Sequence, residues 1–241
     1  MAKASKDKFD PRLFTLLSHR GLHDEQSTEN GLAAFQKSID EGLPFELDVH
    51  LTLDGGLIVC HDSELKRTTG KQGIIEEMTL EQIGEYRLLD GEKVPTLDDV
   101  LALNDERVPI VIELKTYKNN GKPLAKKLLQ RLSSIRDKKT IALISFDPRA
   151  LYWCKHCPFM RGLLVGTGKK WILMFRNMFE FLCPDQVLLD DSRVSSYRKK
   201  GGILDTWTLE SEQAIEKAAE KADILTYQHI SREARDRLRN R

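Results

Sequence analysis

Eight short apolar runs recur along the chain, at residues 14–18, 45–50, 109–114, 141–146, 162–166, 186–189, 203–207 and 224–227. Between most of them lie stretches with helical periodicity, at 30–41, 122–136, 148–157, 170–182, 193–200 and 210–221, several opened by Ser, Thr, Asp or Pro, with 231–241 closing the series. Strands alternating with helices imply a mainly parallel sheet, and eight such units imply an α/β chain closed into a (β/α)₈ TIM barrel, with its chemistry at the C-terminal ends of the strands. The 241 residues, 40% hydrophobic, suffice to bury the core of one domain spanning 1–241. The second connection breaks the rhythm. It holds a hairpin, a Gly-bearing loop at 70–73 and helical patterns at 79–86 and 96–103, so an insertion of about 51–107 is expected over the barrel mouth.

Glu46 and Asp48 stand two apart in the run Phe45-Glu46-Leu47-Asp48-Val49, and strand alternation turns both carboxylates to one face. Left unpaired in a buried strand they would be costly, so the face needs a bound metal or a nearby base; a structural salt bridge is the plainer reading. Asp54-Gly55 follows between two β-favouring stretches and signals a hairpin. A two-residue loop puts His61 opposite Asp48, whereas a bulge would shift the pairing.

The remaining strand ends sharpen this picture. His19-Arg20-Gly21 ends the first strand and Glu113-Leu114-Lys115 the third, so both reach the rim that carries Glu46 and Asp48. Three carboxylates, Glu46, Asp48 and Glu113, suit a hard cation such as Mg²⁺ or Ca²⁺, with Mn²⁺ a third option, better than zinc. Arg20 and Lys115 add fixed positive charge, and a metal with such neighbours makes a phosphate site. His19 and His61 approach from different segments and can serve as base and acid near neutral pH, the kit that phosphodiester cleavage needs.

Charge and composition exclude other classes. Lys plus Arg number 38 against 37 Asp plus Glu, a net charge of +1 that gives no general case for nucleic acid or an anionic membrane. The start, 1–11, is polar and no run of about 18 uncharged apolar residues occurs, so a soluble cytoplasmic protein is expected. Four scattered cysteines make no disulfide framework, and Cys154-Lys155-His156-Cys157 sits near a helix end, the wrong place for a redox motif. The apolar stretch 171–182, with Lys169, Lys170 and Arg176 nearby, is read as a helix that either is buried on several sides or meets an acyl chain. His50 continues the face of Glu46 and Asp48.

The motifs His19-Arg20-Gly21, Thr28-Glu29-Asn30, Glu46-Leu47-Asp48-Val49, Leu51-Thr52-Leu53-Asp54-Gly55, His61-Asp62, the segment from Leu65 through Gly70, Pro95-Thr96-Leu97 and Glu113-Leu114-Lys115 together resemble the glycerophosphodiester phosphodiesterase family. The resemblance is specific from Ser18 to Lys115 and weaker beyond, where Ser145-Phe146 and Thr206-Trp207-Thr208 are recognisable. It implies hydrolysis of glycerophosphodiesters to glycerol 3-phosphate and an alcohol, with His19 and His61 as acid and base, Glu46, Asp48 and Glu113 as metal ligands, and Arg20 and Lys115 on phosphate. It also implies attack by the substrate's own glycerol hydroxyl through a cyclic phosphate, which would exploit a high effective concentration. Trp207 is a candidate wall for the glycerol or alcohol. Two departures bear on the headgroup end: Glu210 stands where the family often has Asn, and Thr226-Tyr227-Gln228-His229 where it often has Thr-Asp-x-Pro. Two alternatives remain in view, a lysophospholipase D-like enzyme acting on single-chain lipids and a silent barrel that senses a phosphorylated ligand.

Overall fold

A computed structural model describes residues 6–239; residues 1–5 and 240–241, the outer ends of the polar start and of the closing helix, lie outside the described residues. Eight parallel strands close on themselves: β1 (Leu16–Ser18), β2 (Phe45–Leu51), β4 (Ile110–Leu114), β5 (Ile141–Ser145), β6 (Met160–Val165), β7 (Phe181–Pro184), β8 (Ile203–Leu209) and β9 (Ile224–Tyr227). β1 pairs with both β2 and β9, which shuts the barrel. The short β3 (Leu57–Val59) runs antiparallel to β2 outside that ring. The helices are α1 (Leu32–Asp40), α2 (Lys66–Thr69), α3 (Leu80–Gly84), α4 (Leu97–Asn104), α5 (Gly121–Arg131), α6 (Pro148–Trp153), α7 (Ser192–Lys199), α8 (Glu212–Ala219) and α9 (Arg232–Arg239).

Burial follows strand alternation. Phe45, Leu47 and Val49 face outward with Ile110, Ile112 and Leu114, packing on α1, α4 and α5 through Phe35, Val100 and Leu128. Leu17, Val111, Ala142, Ile144 and Leu164 share a second core inside the barrel with Phe9 and Phe181, whose rings meet edge to face at 5.4 Å. The segment that supplies Phe9 is anchored to the loops before the strands, since the Asp10 N–H donates to the Lys139 carbonyl and Arg12 donates to the Arg107 carbonyl. One end of the barrel is thereby plugged, and the opposite end holds the polar groups.

Two expectations need correction. The run 186–189 is not a strand: Gln186–Leu188 is a 3₁₀ turn whose Val187 N–H donates to the Asp185 carboxylate at 2.9 Å, while β7 is the preceding Phe181–Pro184. All four β7 residues are buried, so the segment shows no alternation and merges by sequence with the apolar stretch before it. That stretch is likewise not a helix through 182; Thr167–Phe175 is a 3₁₀ segment broken at Lys169, and it leaves Trp171, Met174 and Met178 exposed. The second correction is the hairpin register. Val49, His50 and Leu51 pair with Val59, Ile58 and Leu57, so Asp48 lies opposite Cys60 rather than His61. The favoured two-residue turns need positive φ at the first central position, Asp54, and only Gly55 has it; Asp54 instead accepts from the Thr52 hydroxyl at 2.6 Å, and the loop takes three residues.

Between β3 and α4 the chain builds a satellite with its own small core of Ile58, Cys60, Leu65, Ile75, Ile83, Leu88 and Val94. α4 itself packs with the outer helices and serves as the barrel's helix after β2.

Candidate active site

The barrel's parallel register assembles the acidic cluster directly. Asp48 and Glu113 are ladder partners on β2 and β4, and Glu46 lies one inward-facing position earlier on β2. One carboxylate oxygen from each lies within 4.8 Å of the other two, and all three residues are buried. Burial drives the Glu46 carboxyl well above the usual range, with Asp48 and Glu113 adding repulsion. Burial also pushes Glu113 up to about 7, against the pull of Lys115. Asp48 goes the other way: burial would raise it, but Lys115 and Arg20 more than offset that and hold it ionised.

A divalent cation fits this donor set. Three oxygens converge without sulfur or imidazole among them, and the buried Asp48 Oδ1 makes no well-formed hydrogen bond, only a 3.3 Å ion pair with Lys115. Lys115 Nζ stands 3.3 Å from both Asp48 Oδ1 and Glu113 Oε1, and Arg20 Nε 3.3 Å from Asp48 Oδ2. Without an ion the buried cluster keeps only Asp48 firmly ionised, with Glu46 and Glu113 pushed toward their neutral forms; a bound divalent cation would let all three carboxylates ionise together.

The loop after β1 sets the next groups. Arg20 takes positive φ and Gly21 follows at φ +80°, where a Cβ would fall 2.8 Å from the Ala34 carbonyl carbon, so only glycine lets the turn lie on α1. The turn aims the Arg20 backbone N–H at Glu46 Oε2 (3.2 Å) and its guanidinium at Glu29 (2.8 Å). Asn30, also at positive φ, clamps Asp48 by donating Nδ2 to Oδ2 at 2.9 Å and accepting the Asp48 N–H at Oδ1.

His19 Nε2 lies 3.9 Å from Glu46 Oε2, while its Nδ1 contacts Gln228 Oε1 at 2.8 Å. Burial, helped by Arg20, drives its pKa down to about 4. His61 lines the same cavity, and its Nδ1 meets Asp62 at 2.7 Å. Burial lowers His61 as well, opposed by Asp48. Its backbone carbonyl accepts from His50 Nε2 at 3.1 Å, and His50 Nδ1 contacts Glu76 at 2.6 Å. His50 therefore holds the loop that carries His61, and it does not join the acidic cluster.

The cavity, about 140 Å³, has a charged wall of His19, Arg20, Glu46, His61 and Glu113. Its other wall is Phe146 and Trp207, edge to face at 5.4 Å, with Asp205 below. Trp207 is fixed by donating Nε1–H to the Cys183 carbonyl at 2.9 Å. Burial pushes Asp205 up to about 7, and it accepts from Thr226 at 2.7 Å. A larger surface hollow of about 490 Å³ beside Lys217 and Lys221 gathers no comparable set of groups.

The eight residues read from the sequence thus converge at one end of the barrel: Glu46, Asp48, Glu113, Arg20 and Lys115 as one charged cluster, with His19, His61 and Trp207 around the cavity. Sequence reasoning gave no role to Glu29, Asn30, Asp62, Asp205 or Gln228. Glu29, Asn30 and Asp62 lie inside the motifs quoted above, so a signal was present; Asp205 and Gln228 carried none.

The model of the glycerophosphoryl diester phosphodiesterase family matches residues 19–157, which include His19, Arg20, Glu46, Asp48, His61, Glu113 and Lys115. The chain belongs to that family. It is 29% identical to a glycerophosphodiester phosphodiesterase of Caldanaerobacter subterraneus subsp. tengcongensis over 84% of this chain and 88% of that one. It is 30% identical to the human glycerophosphodiester phosphodiesterase 1, over 72% of this chain and 58% of that protein. Among solved structures, the Thermotoga maritima glycerophosphodiester phosphodiesterase superposes with a TM-score of 0.76 at 26% identity, covering 94% of this chain and 97% of its own. An Oleispira antarctica phosphodiesterase, solved with the product sn-glycerol-3-phosphate, superposes with a TM-score of 0.79 at 21% identity, covering 94% and 95%. The second of these likenesses speaks for the barrel alone. Among the described residues no helix is long and apolar enough to cross a membrane.

Proposed function

We propose that this family member is a cytoplasmic, metal-dependent phosphoric diester hydrolase that cleaves glycerophosphodiesters to glycerol 3-phosphate and an alcohol, its single barrel domain spanning 1–241 with an insertion that falls within about 51–107 and ends before α4. The observation that carries this reading is the meeting of two imidazoles from separate segments with a buried three-carboxylate cluster and two fixed cations. Glu46, Asp48 and Glu113 would hold the ion, Mg²⁺, Ca²⁺ or Mn²⁺. When bound, such an ion supplies Lewis-acid stabilisation of charge on the phosphoryl oxygens.

His19, neutral at working pH and bearing its lone pair toward the cavity, takes the proton of the attacking hydroxyl. His61, whose Asp62 contact at Nδ1 opposes the burial that lowers its pKa, gives a proton to the departing alkoxide from its protonated form. Arg20 and Lys115 face the charge that gathers on the phosphoryl oxygens. Phe146 and Trp207 wall the organic end of the substrate and keep water from it.

The test is a panel of glycerophosphodiesters, glycerophosphocholine first, incubated with Mg²⁺, Ca²⁺ and Mn²⁺ and read as glycerol 3-phosphate formed. Product that vanishes on chelation and returns with metal is expected. Turnover untouched by exhaustive metal removal would refute the carboxylate site, and no alcohol released with any metal would favour the sensing barrel. A second reading, single-chain lysolipids, draws support from the exposed Trp171, Met174 and Met178 on the segment after β6. Comparing a lysolipid with glycerophosphocholine separates the two.

A further inference from the structure

Glu210, where the sequence departs from the family pattern, and Gln228, inside the second departing segment 226–229, form a chain that ends on His19. They extend from the ends of β8 and β9, and Gln228 Nε2 donates to Glu210 Oε1 at 2.5 Å while Gln228 Oε1 lies 2.8 Å from His19 Nδ1. An amide has one donating end and one accepting end, and a carboxylate can only accept. The Glu210 carboxylate therefore selects which end of Gln228 it faces. The carbonyl end is left for the imidazole, and a carbonyl oxygen at that distance requires the proton on Nδ1. The lone pair of the neutral ring then belongs to Nε2, the nitrogen 3.9 Å from Glu46. Nothing on the His19 ring itself would dictate this, because its Nδ1 meets a neutral amide, whereas the Nδ1 of His61 meets a carboxylate.

We infer that Glu210, acting through the Gln228 amide, sets the tautomer of His19 so that Nε2 is free to accept the substrate's proton. Both are positioning residues, since neither touches the reacting atoms. The catalytic part of this inference rests on the proposed role of His19 as base; the tautomer assignment stands apart from it.

Glu210→Lys tests the relay. An ammonium donor there turns the Gln228 carbonyl outward, so the NH₂ group faces His19 and the stable tautomer carries its proton on Nε2. In ¹⁵N-labelled protein, long-range ¹H–¹⁵N spectra should report the Nδ1–H form in the wild type and the Nε2–H form in Glu210→Lys. With glycerophosphocholine, kcat should fall about tenfold or more while KM stays within about twofold, a split that a merely structural surface residue would not produce. Adding Gln228→Glu to Glu210→Lys puts a carboxylate at His19 Nδ1, which can only accept, and should restore both the Nδ1–H form and most of kcat. An Nδ1–H form and a kcat unchanged in Glu210→Lys, or no recovery in the double variant, would overturn the relay. A wild type with the Nδ1–H form but no turnover would count against the phosphodiesterase reading and leave the relay standing.

Discussion

Asp48 receives Asn30 on one oxygen and stands between Arg20 and Lys115, so it stays ionised while burial pushes its neighbours Glu46 and Glu113 toward neutrality. That division has a measurable sign. A carboxyl whose folded pKa is raised contributes stability that is present below its unfolded value, about 4.3 for Glu, and lost as pH rises through the folded value, here about 7 for Glu113. The Glu113 contribution to stability should therefore fall between about pH 4.3 and pH 7, whereas His19, lowered to about 4 by burial, contributes with the opposite sign up to about pH 6.5. Thermal melts of metal-free wild type and Glu113→Gln at several pH values isolate the Glu113 part: the advantage of Glu113→Gln should grow from about pH 4.3 to pH 7, and saturating Mg²⁺ should remove it by stabilising the wild type; a difference that stays constant over this range would contradict the assignment. The two imidazoles give a second prediction. His19→Ala and His61→Ala should each lower kcat by about 10²–10⁴, with circular dichroism and calorimetric Mg²⁺ binding little changed. Full activity in either variant would remove the acid–base pair. His50→Leu leaves the Glu76 carboxylate with only the Ser63 hydroxyl and the His61 carbonyl without its imidazole donor, and should cost about 1–3 kcal/mol in urea denaturation together with a fall in kcat.

The strands show how far the pattern in the sequence carried. Glu46, Asp48, Glu113 and Lys115 were legible because period-two alternation alone decides which residues share a face, and the rim follows once eight units are counted. β7 was not legible, because a strand buried on both faces has no polar alternation to mark it, and Phe181 and Leu182 read as the continuation of an apolar helix. The hairpin register was lost for a different reason: turn type depends on the φ of a single residue, Asp54, and a one-residue change there moves every pairing. Gln228 and Asp205 were invisible because their roles come from contacts between strands far apart in sequence. The corrected β7 makes a testable claim. Gly162 pairs with Phe181, and a Cβ on it would lie 2.4 Å from that ring. Gly162→Val should therefore destabilise the barrel by about 1–3 kcal/mol or more, seen as a lower urea midpoint, whereas an unchanged midpoint would argue that Phe181 does not point into this wall.

Across the whole molecule, one end of the barrel is sealed by the Phe9 segment and the other is rimmed by charged groups, by Phe146 and Trp207, and by the 3₁₀ segment with Trp171 and Met174. If that apolar rim serves a lipid chain, changing Trp171 and Met174 together to Ser should raise KM for a lysolipid and leave kcat/KM for glycerophosphocholine unaltered. Equal effects on both substrates would assign the rim to folding instead. The satellite between β3 and α4 has a consequence of its own. His19 rides on the barrel wall, but His61 is borne by a segment with a separate small core, tied to the barrel by polar contacts such as His50 with Glu76, Arg67 with Glu29 and the Thr28 N–H with Asp90. Such a unit can open at a lower free energy than the barrel as a whole. Gentle warming should then extinguish turnover while the far-ultraviolet signal of the barrel persists, and cooling should revive it: an enzyme that falls asleep before it unravels, because half of the proton machinery proposed for it lives in an annex.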